Sequence, residues 1–190
     1  MNKYVLNELS QDVVNKIAAG EVVERPASVV KELVDNSIDA GATKIQIKVV
    51  NGGIDLIEVR DNGSGIPKES LADIFKTHTT SKISSLEDLN NLLTMGFRGE
   101  ALSTIVSVSD VVHSSKYIDS DSAFEIVYKG LNDFNIKKTA RESGTAVIVK
   151  NIFANIPARR KYLKSAQTEY KKILDILFPY FLIYLSLIHI

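Results

Sequence analysis

Apolar and polar positions along the chain follow two different periods, and the clearest pattern covers residues 27–41. At about 100° per residue, an α-helix there places four apolar side chains on one stripe: Val30, Leu33, Val34 and Ile38. An adjacent stripe, within roughly a quarter turn, carries Glu32, Asn36, Asp39 and Ala40. Gly41 follows as the residue that ends the helix. The pattern therefore predicts a helix with one buried face and one polar face.

The period changes to two immediately after this helix. Residues 43–50 alternate between apolar and polar side chains, which predicts a half-buried strand. The Asn-Gly-Gly sequence at 51–53 is typical of a hairpin turn, and residues 54–60 return as the partner strand. Asp61 is thereby predicted at the end of a strand.

The rest of the chain mixes short helices with short strands. The predicted helices cover residues 11–18, 71–75, 86–93 and 101–108, with helix again from 157. The predicted strands cover residues 111–115, 124–128, 132–137 and 145–151. Hairpins rather than regular βαβ alternation connect them, which favours a mixed, mostly antiparallel sheet. We therefore predict an α+β fold, a two-layer α/β sandwich with helices on one face of the sheet.

Composition limits the possible partners and surroundings of the chain. With 190 residues one domain is expected, and 23 basic residues balance 23 acidic ones. A domain held on DNA by a strong overall positive field is therefore not expected, so any DNA contact would be local and weak. The chain has no cysteine, which excludes disulfides and thiolate metal sites and fits a reducing cytoplasm.

Neither end of the chain predicts a membrane segment. The first eight residues lack the apolar core of a signal peptide. Residues 176–190 are nearly all apolar, but Pro179 and the upstream Asp175 and Lys172 argue against a bilayer span of about 20 residues. We therefore expect a cytoplasmic protein without a membrane anchor.

The polar face of the first helix is the main candidate for chemistry. Glu32 and Asn36 are separated by one helical turn, and folding does not require either side chain. A carboxylate beside a carboxamide suits a general base next to a metal-binding amide. The alternative is an ordinary solvated glutamate beside a surface asparagine.

Two glycine-rich segments accompany this helix: Arg-Asp-Asn-Gly-Ser-Gly-Ile at 60–66 and Met-Gly-Phe-Arg-Gly-Glu-Ala-Leu at 95–102. Together the three segments resemble the nucleotide-binding motifs of the GHKL ATPases, which include gyrase B, the ninety-kilodalton heat-shock chaperone, histidine kinases and MutL. Residues 17–26, which run directly into the helix, resemble the MutL family of DNA mismatch-repair ATPases much more closely than the others. The resemblance covers residues 9–184 and implies the same two-layer sandwich.

The resemblance implies a role for each motif. Glu32 would be the catalytic base, Asn36 would bind Mg²⁺ and Asp61 would accept a hydrogen bond from the adenine amine. The other implied ATP-binding residues lie at the helix end, in the two glycine-rich segments, in a lid that includes residues 77–82, and in a late strand. They are Asp39, Ala40, Gly63, Gly65, Ile66, Thr80, Ser81, Lys82, Gly96, Phe97, Arg98, Gly99, Glu100, Ala101, Leu102 and Thr145. Three structural alternatives remain: Asp61 as a turn former, Asp39 as a residue that only orients its neighbours, and Thr145 as an ordinary strand residue.

The resemblance further implies ATP and Mg²⁺ as cofactors, slow hydrolysis, and ATP-dependent dimerisation of two subunits. The expected partners are a MutS-like mismatch recognition protein and DNA, bound weakly and without sequence specificity. A basic cluster contacts the DNA backbone or is simply a solvated helix face: Arg159, Arg160, Lys161 and Lys164. Two alternatives stay open, namely another GHKL ATPase, or a nucleotide-binding module with little turnover because a following domain supplies a lysine.

The domain prediction is one ATP-binding domain over residues 1–184, truncated before a second, transducer domain. Residues 185–190 read Leu-Ser-Leu-Ile-His-Ile and resemble translated sequencing-adapter DNA. We therefore expect these six residues to be a non-native tail.

Overall fold

The computed structural model describes most of the chain, namely residues 23–77, 79–80, 82, 94–96, 99–130, 133–184 and 186–190. The predicted helices at 11–18 and 86–93 lie outside the described residues.

The helices and strands agree closely with the periodicity. The α-helices are α1 (Pro26–Asp39), α2 (Ala101–Val108), α3 (Pro157–Tyr162) and α4 (Ala166–Ile183). The strands are β1 (Ile45–Val50), β2 (Leu56–Asp61), β3 (Asp110–Lys116), β4 (Ala123–Gly130), β5 (Asp133–Thr139), β6 (Gly144–Lys150) and β7 (Ile188–His189).

The short helix predicted at 71–75 is only partly present, as a 3₁₀ turn at Asp73–Phe75. Two separate 3₁₀ turns occupy this region, Lys68–Ser70 and Asp73–Phe75. Pro67 precedes them and Lys76 is already extended, so too few residues remain to propagate an α-helix. The apolar side chains that suggested the helix, Leu71 and Phe75, are nevertheless buried.

The described strands form one seven-stranded sheet in the order β5-β4-β3-β6-β2-β1-β7. All pairs are antiparallel except β1 with β7, whose parallel pairing the sequence pattern did not indicate. The mixed, mostly antiparallel α+β fold is therefore confirmed. That residues 185–190 are a non-native tail stays a prediction.

The buried stripe of α1 attaches this helix to the sheet. Val30, Leu33 and Val34 are at most 3% exposed, whereas Ile38 is only half-buried. They belong to the same apolar core as strand residues such as Ile57. Burying such a side chain stabilises the fold by about 1.5–3 kcal/mol, so this stripe fixes the position of the polar face.

A buried polar contact joins α1 to α4. The Tyr180 hydroxyl donates to Asp35 Oδ1 at 2.5 Å, and Lys31 Nζ donates to Asp35 Oδ2 at 2.6 Å. Burial, followed by the hydrogen bond to Asp35, raises the pKa of Tyr180 above its ordinary value. The hydrogen bond to Asp35 likewise raises the pKa of Lys31. Both oxygens of a carboxylate that is 3% exposed are thus satisfied.

His113 makes the stability of this fold depend on pH. Its ring lies in β3, 2% exposed, and burial, with the nearby Arg141 charge, lowers its pKa to about 3. His113 of the unfolded chain binds a proton near pH 6.5, whereas the buried ring of the folded chain stays neutral until about pH 3. The contribution of the neutral ring to the free energy of unfolding is therefore fully present above pH 6.5 and is lost as the pH falls toward 3.

We expect His113→Gln to remove about 1.4 kcal/mol per pH unit from the slope of unfolding free energy between pH 6 and 4. Urea unfolding at several pH values measures it, with the exposed His189 as the control site in His189→Gln. An unchanged slope in His113→Gln would contradict the assignment.

Candidate functional site

The carboxylate of Asp61 connects three parts of the fold. It lies at the end of β2 and is 7% exposed. Oδ1 accepts from the backbone N–H groups of Gly63 at 2.9 Å and Thr145 at 3.1 Å. Oδ2 accepts from Ser37 Oγ at 3.2 Å and from the Thr145 hydroxyl. Helix α1, the loop after β2 and strand β6 therefore meet at one buried, well-satisfied charge.

The bond from Gly63 also closes a local turn, because Asp61 accepts from the residue two positions on. Asp61 is therefore a turn-forming aspartate, as the structural alternative held, but this role accounts for only one of its four hydrogen-bond donors. Thr145 is likewise an ordinary strand residue, the second of β6, and still donates twice to Asp61.

The loop after Asp61 is pressed between α1 and β3. Ser64 N donates to the carbonyl of Ala40 at 2.9 Å, and a Cβ on Gly63 would lie 2.8 Å from that oxygen. Gly65 has φ of +69°, and a Cβ there would overlap the Lys116 carbonyl. Ile66 N donates to Ser115 Oγ at 2.6 Å. Glycine is thus required where the backbone approaches its neighbours most closely.

A second centre lies on the polar face of α1, at Asn36 and Asp39. Lys82 Nζ donates to Asn36 Oδ1 at 3.0 Å and to Asp39 Oδ2 at 2.5 Å. The carboxylate of Asp39 also accepts from the backbone N–H groups of Met95 at 2.8 Å and Gly96 at 3.2 Å. Asp39 therefore connects α1 directly to Lys82, Met95 and Gly96.

Glu32 and the glycine-rich segment before α2 complete the site. Glu32 lies half-buried on α1, one turn before Asn36. Gly99 has φ of +64°, and a Cβ there would lie 2.5 Å from the Thr79 carbonyl. Thr80 accepts from Lys82 N through its hydroxyl at 3.1 Å.

The remaining predicted residues divide into two groups. Glu100 precedes the first turn of α2, and Ala101 and Leu102 form that turn, half-buried. Ser81, Phe97 and Arg98 lie outside the described residues.

Sequence reasoning missed three polar residues that support this site. The single hydroxyl proton of Ser37 is within hydrogen-bond distance of both Asp61 and the Leu33 carbonyl, and Ser115 Oγ bonds the Ile66 backbone. Arg141 donates to the Ser114 carbonyl at 2.7 Å, and burial lowers the pKa of its guanidinium. A serine at a buried position of a helix or strand was the available signal for the first two.

Two kinds of site are absent from the part of the chain that the structure describes. It contains no group of three or more His, Asp or Glu side chains arranged to hold a metal ion. None of its helices is both long and apolar enough to cross a bilayer.

Comparison with known proteins fits this geometry. A sequence profile of the histidine kinase-, DNA gyrase B- and HSP90-like ATPases matches residues 24–152, which include both centres. The chain belongs to this family.

Individual relatives narrow the resemblance to MutL. The chain is 51% identical to a MutL mismatch repair protein of Haemophilus influenzae over 89% of its own length and 27% of the relative's. The MutL ATPase domain of Aquifex aeolicus in complex with ADP superimposes with a TM-score of 0.68, at 32% identity over 87% of this chain and 58% of that one. The N-terminal domain of a DNA repair protein gives a TM-score of 0.76, at 31% identity over 92% and 50%. The predicted resemblance to the N-terminal domain of MutL is thus confirmed.

The glycine loop provides a test of this architecture. We expect Gly65→Ala to lower the free energy of unfolding by about 3 kcal/mol or more, since it combines a left-handed backbone with an overlap at the Lys116 carbonyl. Gly41→Ala is the matched control, because Gly41 has φ of +71° with nothing within 4 Å, and should lose only about 1–2 kcal/mol. Equal losses in urea unfolding would show that the close approach has no energetic effect.

Proposed function

We propose that this chain binds ATP with Mg²⁺ and is the slowly hydrolysing ATP switch of a DNA mismatch repair protein of the MutL type. The observation that supports it best is the buried Asp61 carboxylate, held by α1, β6 and the loop 63–66. A chain that is 32% identical carries this fold in a complex with ADP.

The adenine end of the nucleotide would lie at Asp61. Its carboxylate accepts hydrogen bonds only, so it suits the exocyclic amine of adenine and disfavours guanine, which presents a carbonyl there. Gly65 allows the backbone to lie close to the base, and Ile66 and Thr145 border the same region. Specificity would therefore come from one fixed acceptor.

The phosphate end would lie near Asn36. An amide oxygen close to a carboxylate is a hard-oxygen donor set, which fits Mg²⁺, and the phosphates would supply further ligands. Bound there, the ion would neutralise charge on the phosphates. The backbone N–H groups of Gly96 and Gly99, both of which precede α2, would contact phosphate oxygens, that of Gly96 after it leaves Asp39.

Hydrolysis would depend on Glu32. The residue lies one turn from Asn36, so its carboxylate is on the same side of α1 as the phosphate end. We assign it the role of orienting the attacking water and accepting its proton.

At the level of the whole protein, ATP would order the lid and bring two subunits together. The switch would then relay recognition by a MutS-like protein to strand removal. DNA would contact the chain only locally, because the overall charge is zero and α3 buries none of its basic residues. The second candidate is a module that binds nucleotide with little turnover, since the chain spans only 27% of the MutL relative.

Nucleotide binding is the first expectation to test. Titration with a non-hydrolysable ATP analogue should show binding that requires Mg²⁺ and is at least about tenfold tighter than binding of the GTP analogue. Of the two bases, only adenine presents an amine donor to the Asp61 carboxylate. Isothermal calorimetry measures both. Asp61→Asn should lose the preference for adenine, and equal affinity of the parent chain for both analogues would contradict the role of Asp61.

Two substitutions on α1 separate binding from chemistry. Glu32→Ala should keep the affinity for Mg²⁺-ATP within about threefold and lower single-turnover hydrolysis by 10²-fold or more. Asn36→Ala should instead lose the Mg²⁺-dependent part of binding. A Glu32→Ala chain that hydrolyses ATP at the parent rate would rule out Glu32 as the base. A parent that binds without turnover would favour the binding module.

A further inference from the structure

An ammonium group lies where the proposed metal ligand presents its oxygen. Lys82 Nζ is 3.0 Å from Asn36 Oδ1 and 2.5 Å from Asp39 Oδ2. The side chains of Lys82 and Asp39 are only 21% and 7% exposed. This ion pair is therefore shielded from solvent and is stronger than a pair on the open surface.

The same carboxylate also holds the neighbouring backbone. Met95 and Gly96 donate their N–H groups to Asp39, so residue 82 and residues 95–96 meet at one anion. A Cβ on Gly96 would lie 3.3 Å from Lys82 Nζ and 4.0 Å from Asn36 Oδ1. The backbone thus closes directly over the ammonium.

We propose that Lys82 is an internal counter-cation that blocks the amide oxygen of Asn36 in the nucleotide-free chain and leaves it for phosphate when nucleotide binds. The inference rests on the proposed function, which assigns Mg²⁺ to Asn36. An ammonium and a divalent cation repel each other at such distances, so one oxygen cannot serve both.

The exchange would couple two binding events. Phosphate is the more highly charged anion and draws Lys82 away from Asp39, which exposes Asn36 and breaks both hydrogen bonds from Lys82 to α1. By linkage, whatever displaces Lys82 favours cation binding, and cation binding favours the displaced lysine to the same degree. Nucleotide and metal would thus bind together rather than separately.

Removal of the ammonium should open the cation site without any nucleotide. We expect Lys82→Met to bind Mn²⁺ alone at least about tenfold more tightly than the parent, measured by electron paramagnetic resonance of free Mn²⁺. Lys76→Met is the matched control: it removes the same charge from an exposed lysine that pairs with Asp73 at 2.6 Å, and should leave Mn²⁺ affinity unchanged.

Three further variants keep the test decisive. Lys82→Arg retains a cation and should bind Mn²⁺ as weakly as the parent. Lys82→Gln is neutral and should reproduce the gain if Lys82→Met does not fold, as judged by circular dichroism. Asn36→Ala in the Lys82→Met background should abolish the gain. Unchanged Mn²⁺ affinity in the folded neutral variants, or a gain that survives Asn36→Ala, would overturn the proposal.

The outcome is distinguishable from the fate of the proposed function, because no nucleotide is present in the Mn²⁺ titration. A gain of Mn²⁺ affinity in a chain that binds no ATP analogue would refute the proposed function and keep the blocked amide. Mg²⁺-dependent ATP binding without the gain would do the reverse.

Discussion

The buried charge of Asp61 is the constraint on which the rest of the site depends. A carboxylate that is 7% exposed is tolerated only if donors reach it, and a lost donor costs about 1–3 kcal/mol. Its donors come from α1, from the loop after β2 and from β6. The antiparallel register of β2 with β6, which pairs Arg60 with Ala146, brings Thr145 to the end of β2. The register of β2 with β6 therefore determines the geometry of the site at Asp61.

Helix α1 transmits this order to the rest of the site. Its apolar stripe is fixed in the core, and the Asp35–Tyr180 bond joins it to α4. The polar face is thereby held rigid, so that Asn36 and Asp39 present their oxygens from a fixed frame. Preorganised groups of this kind bind charged ligands without the cost of reorganising. The contacts that could change when a ligand binds are those of Asn36 and Asp39 with Lys82, Met95 and Gly96.

The sequence predicted what depends on local periodicity. The apolar spacing of α1, the alternation at the start of β1, the partner strand β2 and Asp61 at its end are all observed. Contacts between distant residues could not be read in the same way: Tyr180 meets Asp35 across 145 positions, and β7 pairs with β1 in parallel. The 3₁₀ turns that replace the predicted helix at 71–75 show that burial alone does not determine helix type. Ser37 and Ser115 were missed because a serine's partner is set by the fold.

Charge also explains why a protein of zero net charge can carry an anionic ligand. What matters is the local balance, and at Asp39 one lysine and two backbone N–H groups already compensate the carboxylate. In the proposed exchange, a nucleotide with its cation would replace this balance by another in which phosphate, Lys82 and the metal compensate one another. Asp39 would keep the backbone N–H group of Met95 as a donor after Lys82 leaves, so its shielded carboxylate would not lose all compensation. The charge of a bound ligand would therefore determine whether Lys82 contacts Asp39 or phosphate.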